Sequence, residues 1–210
     1  MKIILITGKP ACGKDTQADL LAKKYKATKI TTSEILKKFF KNQKKKKIKI
    51  DRVVFNLEHQ KELFRRGQLI AYRLVEDILI KRLRTAVKKR ESLVIAGSPR
   101  SLLEARAYIK EFEDTLSPKE YLFIYLSITD TEATKRALLR KRADNLDTKS
   151  VIKNRLASFR KEIMPGIRFL KKTGYLLEIN AQQSIQKIFK DTTKQIAITD
   201  RHSRAISAKR

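Results

Sequence analysis

Residues 3–14 read Ile3-Ile4-Leu5-Ile6-Thr7-Gly8-Lys9-Pro10-Ala11-Cys12-Gly13-Lys14. The short, continuous apolar run Ile3–Ile6 reads as a central parallel strand, buried on both faces. Gly8 to Lys14 then fits the spacing Gly-x-x-x-x-Gly-Lys. To surround phosphate oxygens, backbone N–H groups must turn inward, and glycine permits the dihedrals this needs. A helical pattern opens at Lys14, with Ala18, Leu21, Ala22 and Tyr25 at helical spacing. The start of that helix adds its partial positive charge. Strand, loop and helix in this order make a phosphate-binding loop, with Lys14 able to reach the β- and γ-phosphates of a nucleotide. The strict motif places Ser or Thr directly after the lysine to hold Mg²⁺; here Asp15 stands there and Thr16 follows.

Working outward, Leu93–Gly97, Tyr121–Leu126 and Tyr175–Ile179 repeat the buried-strand signal, and Ile30–Thr32 reads as a short strand. Ser33 is the expected N-cap of a helix through Leu36 and Phe40. Further helical patterns cover Val53–Phe64, Ile70–Leu83, Leu102–Phe112, Thr131–Lys141, Ser150–Lys172 and Ser184–Ile196. Alternating strands and helices imply right-handed crossovers and a P-loop NTPase-type parallel sheet of about five strands with helices on both faces. Lys44–Lys47 reads as an exposed loop, because four adjacent charges resist burial. Residues 197–210 are polar, basic and aperiodic and read as a loose tail.

The chain has 50 Lys plus Arg against 22 Asp plus Glu, a net charge of +28 that attracts polyanions without choosing among nucleotides, nucleic acid and anionic surfaces. With one cysteine, Cys12, no intrachain disulfide can form, which suits a reducing compartment. No apolar run approaches the ~18 residues of a membrane span. No targeting segment is evident, so a cytoplasmic protein is expected. His59 and His202 are isolated and read as surface residues.

The run Gly8–Gln17 resembles the phosphate loop of the adenylate kinase and nucleoside-monophosphate kinase family, G-x-P-G-x-G-K-G-T-Q. Thr31–Lys37 is similar to that family's S-T-G-D-x-L-R, Arg66–Ile70 to its K-G-Q-L-V, and Gly97-Ser98-Pro99-Arg100 to the tail of D-G-[FY]-P-R. Lys135-Arg136, Arg142–Asn145 and Arg155 resemble the arginine set of members with a short lid, and Asn180–Ile185 the turn beside the ATP adenine. Six weak likenesses in the correct order are together specific.

The resemblance implies one kinase domain over residues 1–196, with an acceptor-binding helical insert at 31–66 and a short lid at 136–149. It implies ATP at Gly8, Pro10, Ala11, Cys12, Gly13, Lys14, Asp15, Thr16, Arg136 and Gln183. The monophosphate would lie at Thr32, Lys37, Leu69, Ile70, Gly97, Arg100, Glu104, Arg142 and Arg155. Lys14, Arg100, Arg136, Arg142 and Arg155 would carry catalysis, because a phosphoryl group in flight needs converging cations rather than a nucleophile. Mg²⁺ would arrive with ATP, with Asp15 or Thr16 as the nearest side-chain oxygens. A monomer is expected, without a zinc-binding lid, since one cysteine cannot build a cysteine-based zinc site.

Four departures bear on this reading. Ala96 replaces the family's aspartate before Gly97, Ala11 its middle loop glycine, and Lys37 its acceptor arginine; Glu104 stands where adenylate-specific members carry glutamine. Ionised glutamate only accepts hydrogen bonds, so Glu104 is either an acceptor for a base amine or a helix-surface residue. Cys12 is either a small residue suited to the turn or a thiol whose anion the loop favours. The stretch between Thr31 and Gly67 exceeds the family's spacing by about ten residues, at the lysine run. The alternative to an active kinase is a nucleotide-binding, catalytically weak relative associated with nucleic acid or another polyanion.

Overall fold

Strand β1 (Ile3–Gly8) turns Ile3 and Leu5 to one face and Ile4 and Ile6 to the other, and all four are fully buried. Such a strand belongs in the middle of a sheet covered on both sides. The parallel sheet runs β2–β5–β1–β6–β7, with β2 at Thr28–Thr31, β5 at Leu93–Ala96, β6 at Tyr121–Ser127 and β7 at Leu176–Asn180. The computed structural model describes residues 1–66, 68, 70–140 and 148–207, with 201–207 as backbone only.

On one face Leu93, Ile95 and Phe123 pack with Leu79 and Leu83 of α4 (Tyr72–Lys88) and with Tyr108 and Phe112 of α5 (Leu102–Thr115). On the other, Val94, Leu122 and Ile124 meet Ala18 and Leu21 of α1 (Lys14–Tyr25) and Ile188 and Ile196 of α9 (Ile185–Ser207). Each large aliphatic side chain so buried contributes about 1.5–3 kcal/mol. Strand order reverses direction at β1, and the loops after β1 and β5 meet there, at the carboxyl ends of the strands, where open parallel sheets bind ligands.

Four local readings of the sequence are corrected, the last of them the helix over 150–172. The stretch from Val53 is not wholly helical: β3 (Lys47–Ile50) and β4 (Val53–Asn56) form an antiparallel hairpin, and only then does α3 (Leu57–Arg65) begin. Ile48, Ile50 and Phe55 alternate inward onto the core, Asp51 takes the left-handed turn at φ 54°, and Asn56 Oδ1 caps α3 by accepting from Glu58 N and His59 N. Alternating burial over β-branched residues therefore overrides the helical spacing. The N-cap of α2 (Thr32–Asn42) is Thr31 rather than Ser33, because Glu34 closes a reciprocal capping box: Thr31 Oγ1 accepts from Glu34 N at 3.0 Å and Glu34 Oε2 from Thr31 N at 2.9 Å. Residues 197–207 continue α9 instead of forming a loose tail; Ile196 is fully buried and Asp200 pairs with Lys2 at 2.5 Å, which anchors the extension.

The long helix expected over 150–172 is divided into α7 (Lys149–Ser158), a π-helical stretch Phe159–Ile163 and α8 (Met164–Lys172). Pro165, at the start of α8, has no N–H to donate, and the widened turn absorbs the missing bond. Helix α8 lies so close to the start of α5 that a Cβ on Gly166 would fall 2.8 Å from the Ser101 carbonyl oxygen. No helix among the described residues is long and apolar enough to cross a membrane.

Candidate active site

The loop after β1 is shaped by three backbone features. Gly13 stands at φ 88° and Ala11 at φ 58°, both left-handed, and Cys12 N donates to Lys9 O at 3.3 Å. Helix α1 starts at Lys14 with no side-chain cap, which leaves its first N–H groups for a ligand. Lys14 and Asp15 are half-buried and Thr16 is exposed, so charged and hydroxyl groups line the same first turn. Cys12 is fully buried, its sulfur lying over Gly8, where an added Cβ would meet it at 2.6 Å. Burial at this contact favours the small-residue reading of Cys12 over the reactive-thiol one.

Lys9 bridges the loop to the strand beside it: its Nζ donates to Ile128 O at 2.7 Å and pairs with Asp130 at 2.6 Å. Gln17, 1% exposed, donates through Nε2 to Ile185 O at 3.0 Å and so fastens α1 to the start of α9. Sequence reasoning assigned neither tie; the glutamine's place at the end of the family-like run was the available signal. Gln183, just before α9, donates to Asn180 O at 2.8 Å and to Asp191 at 3.0 Å, which fixes the turn after β7.

The loop after β5 faces the phosphate loop. Gly97, at φ 87°, offers its carbonyl oxygen to Arg100 Nε at 2.8 Å and to Thr32 Oγ1 at 3.0 Å. Thr32 is fully buried at the start of α2, and Ile70 is 7% exposed. Thr32, Gly97 and Arg100 are thus one hydrogen-bonded group. Burial pushes the Arg100 guanidinium below its usual pKa, while Glu104, Tyr108 and Asp15 of the phosphate loop hold it up. Arginine stays charged under such opposing shifts. The peptide bond between Ser98 and Pro99 is cis.

Glu104 is not a surface residue. It is fully buried, with one oxygen accepting from Ser98 Oγ and from Tyr108 OH at 2.7 Å, and the other from Arg100 N at 2.8 Å. Burial, then the neighbouring Glu104, pushes the Tyr108 phenol well above its ordinary value, so it remains a donor.

The remaining expected residues are less gathered. Lys37 is exposed on α2, with no ion pair among the described residues. Arg136, on α6 (Asp130–Arg140), is turned along its own helix to Glu132 at 2.6 Å. Arg155 is half-buried on α7. Arg142, Leu69 and most of the expected lid, 141–147, lie outside the described residues. Ala96, 2% exposed at the end of β5, puts a methyl group where the family has a carboxylate. His59 is exposed at the start of α3.

A hard divalent cation takes oxygen donors, and Asp15 and Thr16 supply them beside the loop. Among the described residues no group of three or more His, Cys, Asp or Glu gathers to hold a metal by itself. The donor set thus fits a Mg²⁺ held chiefly by nucleotide phosphates.

A family model described as Adenylate kinase matches residues 6–175. The chain is 31% identical over 198 residues to an adenylate kinase of Leptospira biflexa serovar Patoc, covering 93% of this chain and 100% of that one. It is 29% identical over 196 residues to an adenylate kinase of Prochlorococcus marinus, covering 93% and 99%. It is also 27% identical over 190 residues to human adenylate kinase isoenzyme 1, covering 90% of each chain.

Proposed function

The chain belongs to the adenylate kinase family, and from that premise we propose that it transfers the γ-phosphoryl group of Mg-ATP to a nucleoside monophosphate, with adenylate the first acceptor to test. The observation that carries this reading is the Thr32–Gly97–Arg100 group standing opposite the phosphate loop, close enough for Asp15 to act on the Arg100 guanidinium. Lys14 and the free N–H groups of α1 neutralise the donor phosphates. Arg100 holds the acceptor phosphate, and Arg136, Arg142 and Arg155 close over the group in transit. Positioning and charge stabilisation suffice, and no covalent enzyme intermediate is required. Mg²⁺, when bound with ATP, neutralises charge between the phosphates, with Asp15 and Thr16 as the nearest side-chain oxygens. The acceptor's identity is supported by the names of the relatives.

The reading includes a cytoplasmic monomer; the lone, buried cysteine supports the reducing compartment. The exposed side chains of Lys44–Lys47, Lys49 and Arg52 on and beside the hairpin support polyanion binding as a separate property. A coupled ATP assay against AMP, GMP, CMP, UMP and dTMP tests the central proposal, with Lys14→Ala as control. Turnover of AMP that vanishes in the control supports it; no turnover of any monophosphate overturns it.

A further inference from the structure

Ser98 and Glu104 both depart from the family pattern quoted above, and the structure joins them. Ser98 is fully buried in the β5–α5 loop, and its hydroxyl donates to Glu104 Oε1. Tyr108, one helical turn beyond Glu104 on α5 and also fully buried, donates to the same oxygen at 2.7 Å and lies 2.8 Å from Ser98 Oγ. The second oxygen, Oε2, accepts from the backbone N–H of Arg100 at 2.8 Å. Ser101 Oγ, the N-cap of α5, accepts from Glu104 N at 3.0 Å.

We propose that Glu104 does not read the acceptor base but is a positioning residue, clamping the turn 98–100 so that the Arg100 guanidinium faces the acceptor phosphate. This rests on the kinase reading above. A carboxylate has about four acceptor sites, and three here are met by buried partners. To turn toward a base, Glu104 would leave the Arg100 backbone N–H and one buried hydroxyl hydrogen without an acceptor, since Ser98 and Tyr108 can satisfy only one of their two O–H groups between themselves, and that costs more than one new bond returns. Fixed instead, it holds Arg100 from two sides, since its own contact sets the Arg100 backbone while the Gly97 carbonyl sets Nε. Glutamine in its place presents one oxygen and one NH₂, and so cannot accept from both Tyr108 and Arg100 N through separate oxygens. Glutamine could keep the Arg100 contact only by turning its NH₂ to the hydroxyls, which then accept, and it would give up the charge that strengthens all three bonds. Base discrimination, by this account, lies outside position 104.

The test compares wild type with Glu104→Gln and Tyr108→Phe. Binding of AMP, GMP, CMP and UMP is measured by calorimetry, alongside steady-state constants for each monophosphate and for ATP. In E104Q every monophosphate should bind weaker by a similar factor, about tenfold for the loss of one charged hydrogen bond. The ratios between bases should stay within about threefold and the KM for ATP should hold. Y108F retains the carboxylate contact to Arg100 and should show the same uniform pattern at about threefold. A change in base ranking of more than about tenfold in E104Q makes Glu104 a base reader and overturns the proposal. Unchanged acceptor binding in both variants, or an equal loss for ATP, overturns it as well. Should E104Q fail to fold, Y108F alone decides by the same criteria. Wild-type binding of monophosphates without turnover would remove the kinase reading while leaving the binding comparison decisive; no binding at all would remove both.

Discussion

Arg100 donates its Nε–H to the Gly97 carbonyl oxygen at 2.8 Å, and Thr32 Oγ1 shares that oxygen at 3.0 Å. One edge of the guanidinium is thereby fixed to the sheet, and its two terminal nitrogens make no hydrogen bond to protein among the described residues. A planar fork anchored at one edge presents its other edge as a pair of parallel donors, which suits a phosphate.

Arg100→Lys keeps the charge and loses both the anchor and the fork. The expected result is a fall in kcat/KM for the acceptor of about a hundredfold, with the KM for ATP little changed. Steady-state kinetics with each substrate varied in turn decides it. A loss under about threefold would mean that Arg100 supplies only charge.

Ala11 occupies a left-handed conformation at φ 58°, which a Cβ disfavours. Ala11→Gly should stabilise the fold by about 0.5–1 kcal/mol net, once glycine's greater freedom in the unfolded chain is counted. That corresponds to a rise in Tm of about 1–4 °C for a domain of this size. Thermal unfolding of the two proteins side by side is the check, and a lower Tm in the glycine variant would refute the strain.

Ala96→Asp restores the family's carboxylate at the end of β5, beside the phosphate loop. Turnover in Mg²⁺ should rise by about tenfold if this is the group that limits the reaction. Because Ala96 is 2% exposed in an apolar cluster, stability should fall by about 1–3 kcal/mol. Unchanged turnover beside an already fast wild type would assign the work to Asp15.

Lys44 to Lys47 are all exposed, on the approach to β3 and at its first residue. Replacing the four with glutamine should weaken duplex binding and flatten the plot of log affinity against log salt by about 3–4. Kinase turnover should stay within a few-fold. A collapse of turnover would place the run in the acceptor site; an unmoved affinity would spread polyanion binding over the whole basic surface.

Glu91 accepts from Arg82 at 2.7 Å, and that bond, with a second from Thr28, holds its carboxyl below the usual value. A depressed carboxyl contributes stability in full above its unfolded pKa of about 4.3 and loses it as pH falls through the lower folded value. Glu91→Gln should therefore lower Tm at neutral pH and converge on wild type below about pH 3. A constant Tm difference across pH 3–7 would exclude the linkage.

The sheet was legible because its strands carry continuous apolar runs. Ile3–Ile6, Leu93–Ala96 and Tyr121–Leu126 leave no other reading once loops and helices alternate between them. The phosphate loop was legible because its spacing is a backbone requirement. The hairpin at 47–56 was missed because Val53, Val54 and Phe55 sit at spacings that also fit a helix, and only packing of Ile48, Ile50 and Phe55 on the core separates the two. Of the two readings of Glu104, the helix-surface one fails for a related reason. A glutamate on a helix reads as solvated unless its partners are seen, and Ser98 and Tyr108 reveal themselves as partners only when α5 is folded back on the loop. The extension of α9 escaped notice because its buried anchor, Ile196, and its ion pair to Lys2 are both tertiary.

Gly166 gives the site a hidden dependency. Its missing side chain lets α8 touch the Ser101 carbonyl, and Ser101 directly follows Arg100 in the chain. Any larger residue there would lever α8 away from the root of α5 and tilt the arginine it carries. A methyl group added at Gly166 would meet that carbonyl at 2.8 Å, so the strain would pass to the turn that carries Arg100. The packing there depends on empty space: two backbones meet so closely that no side chain fits between them.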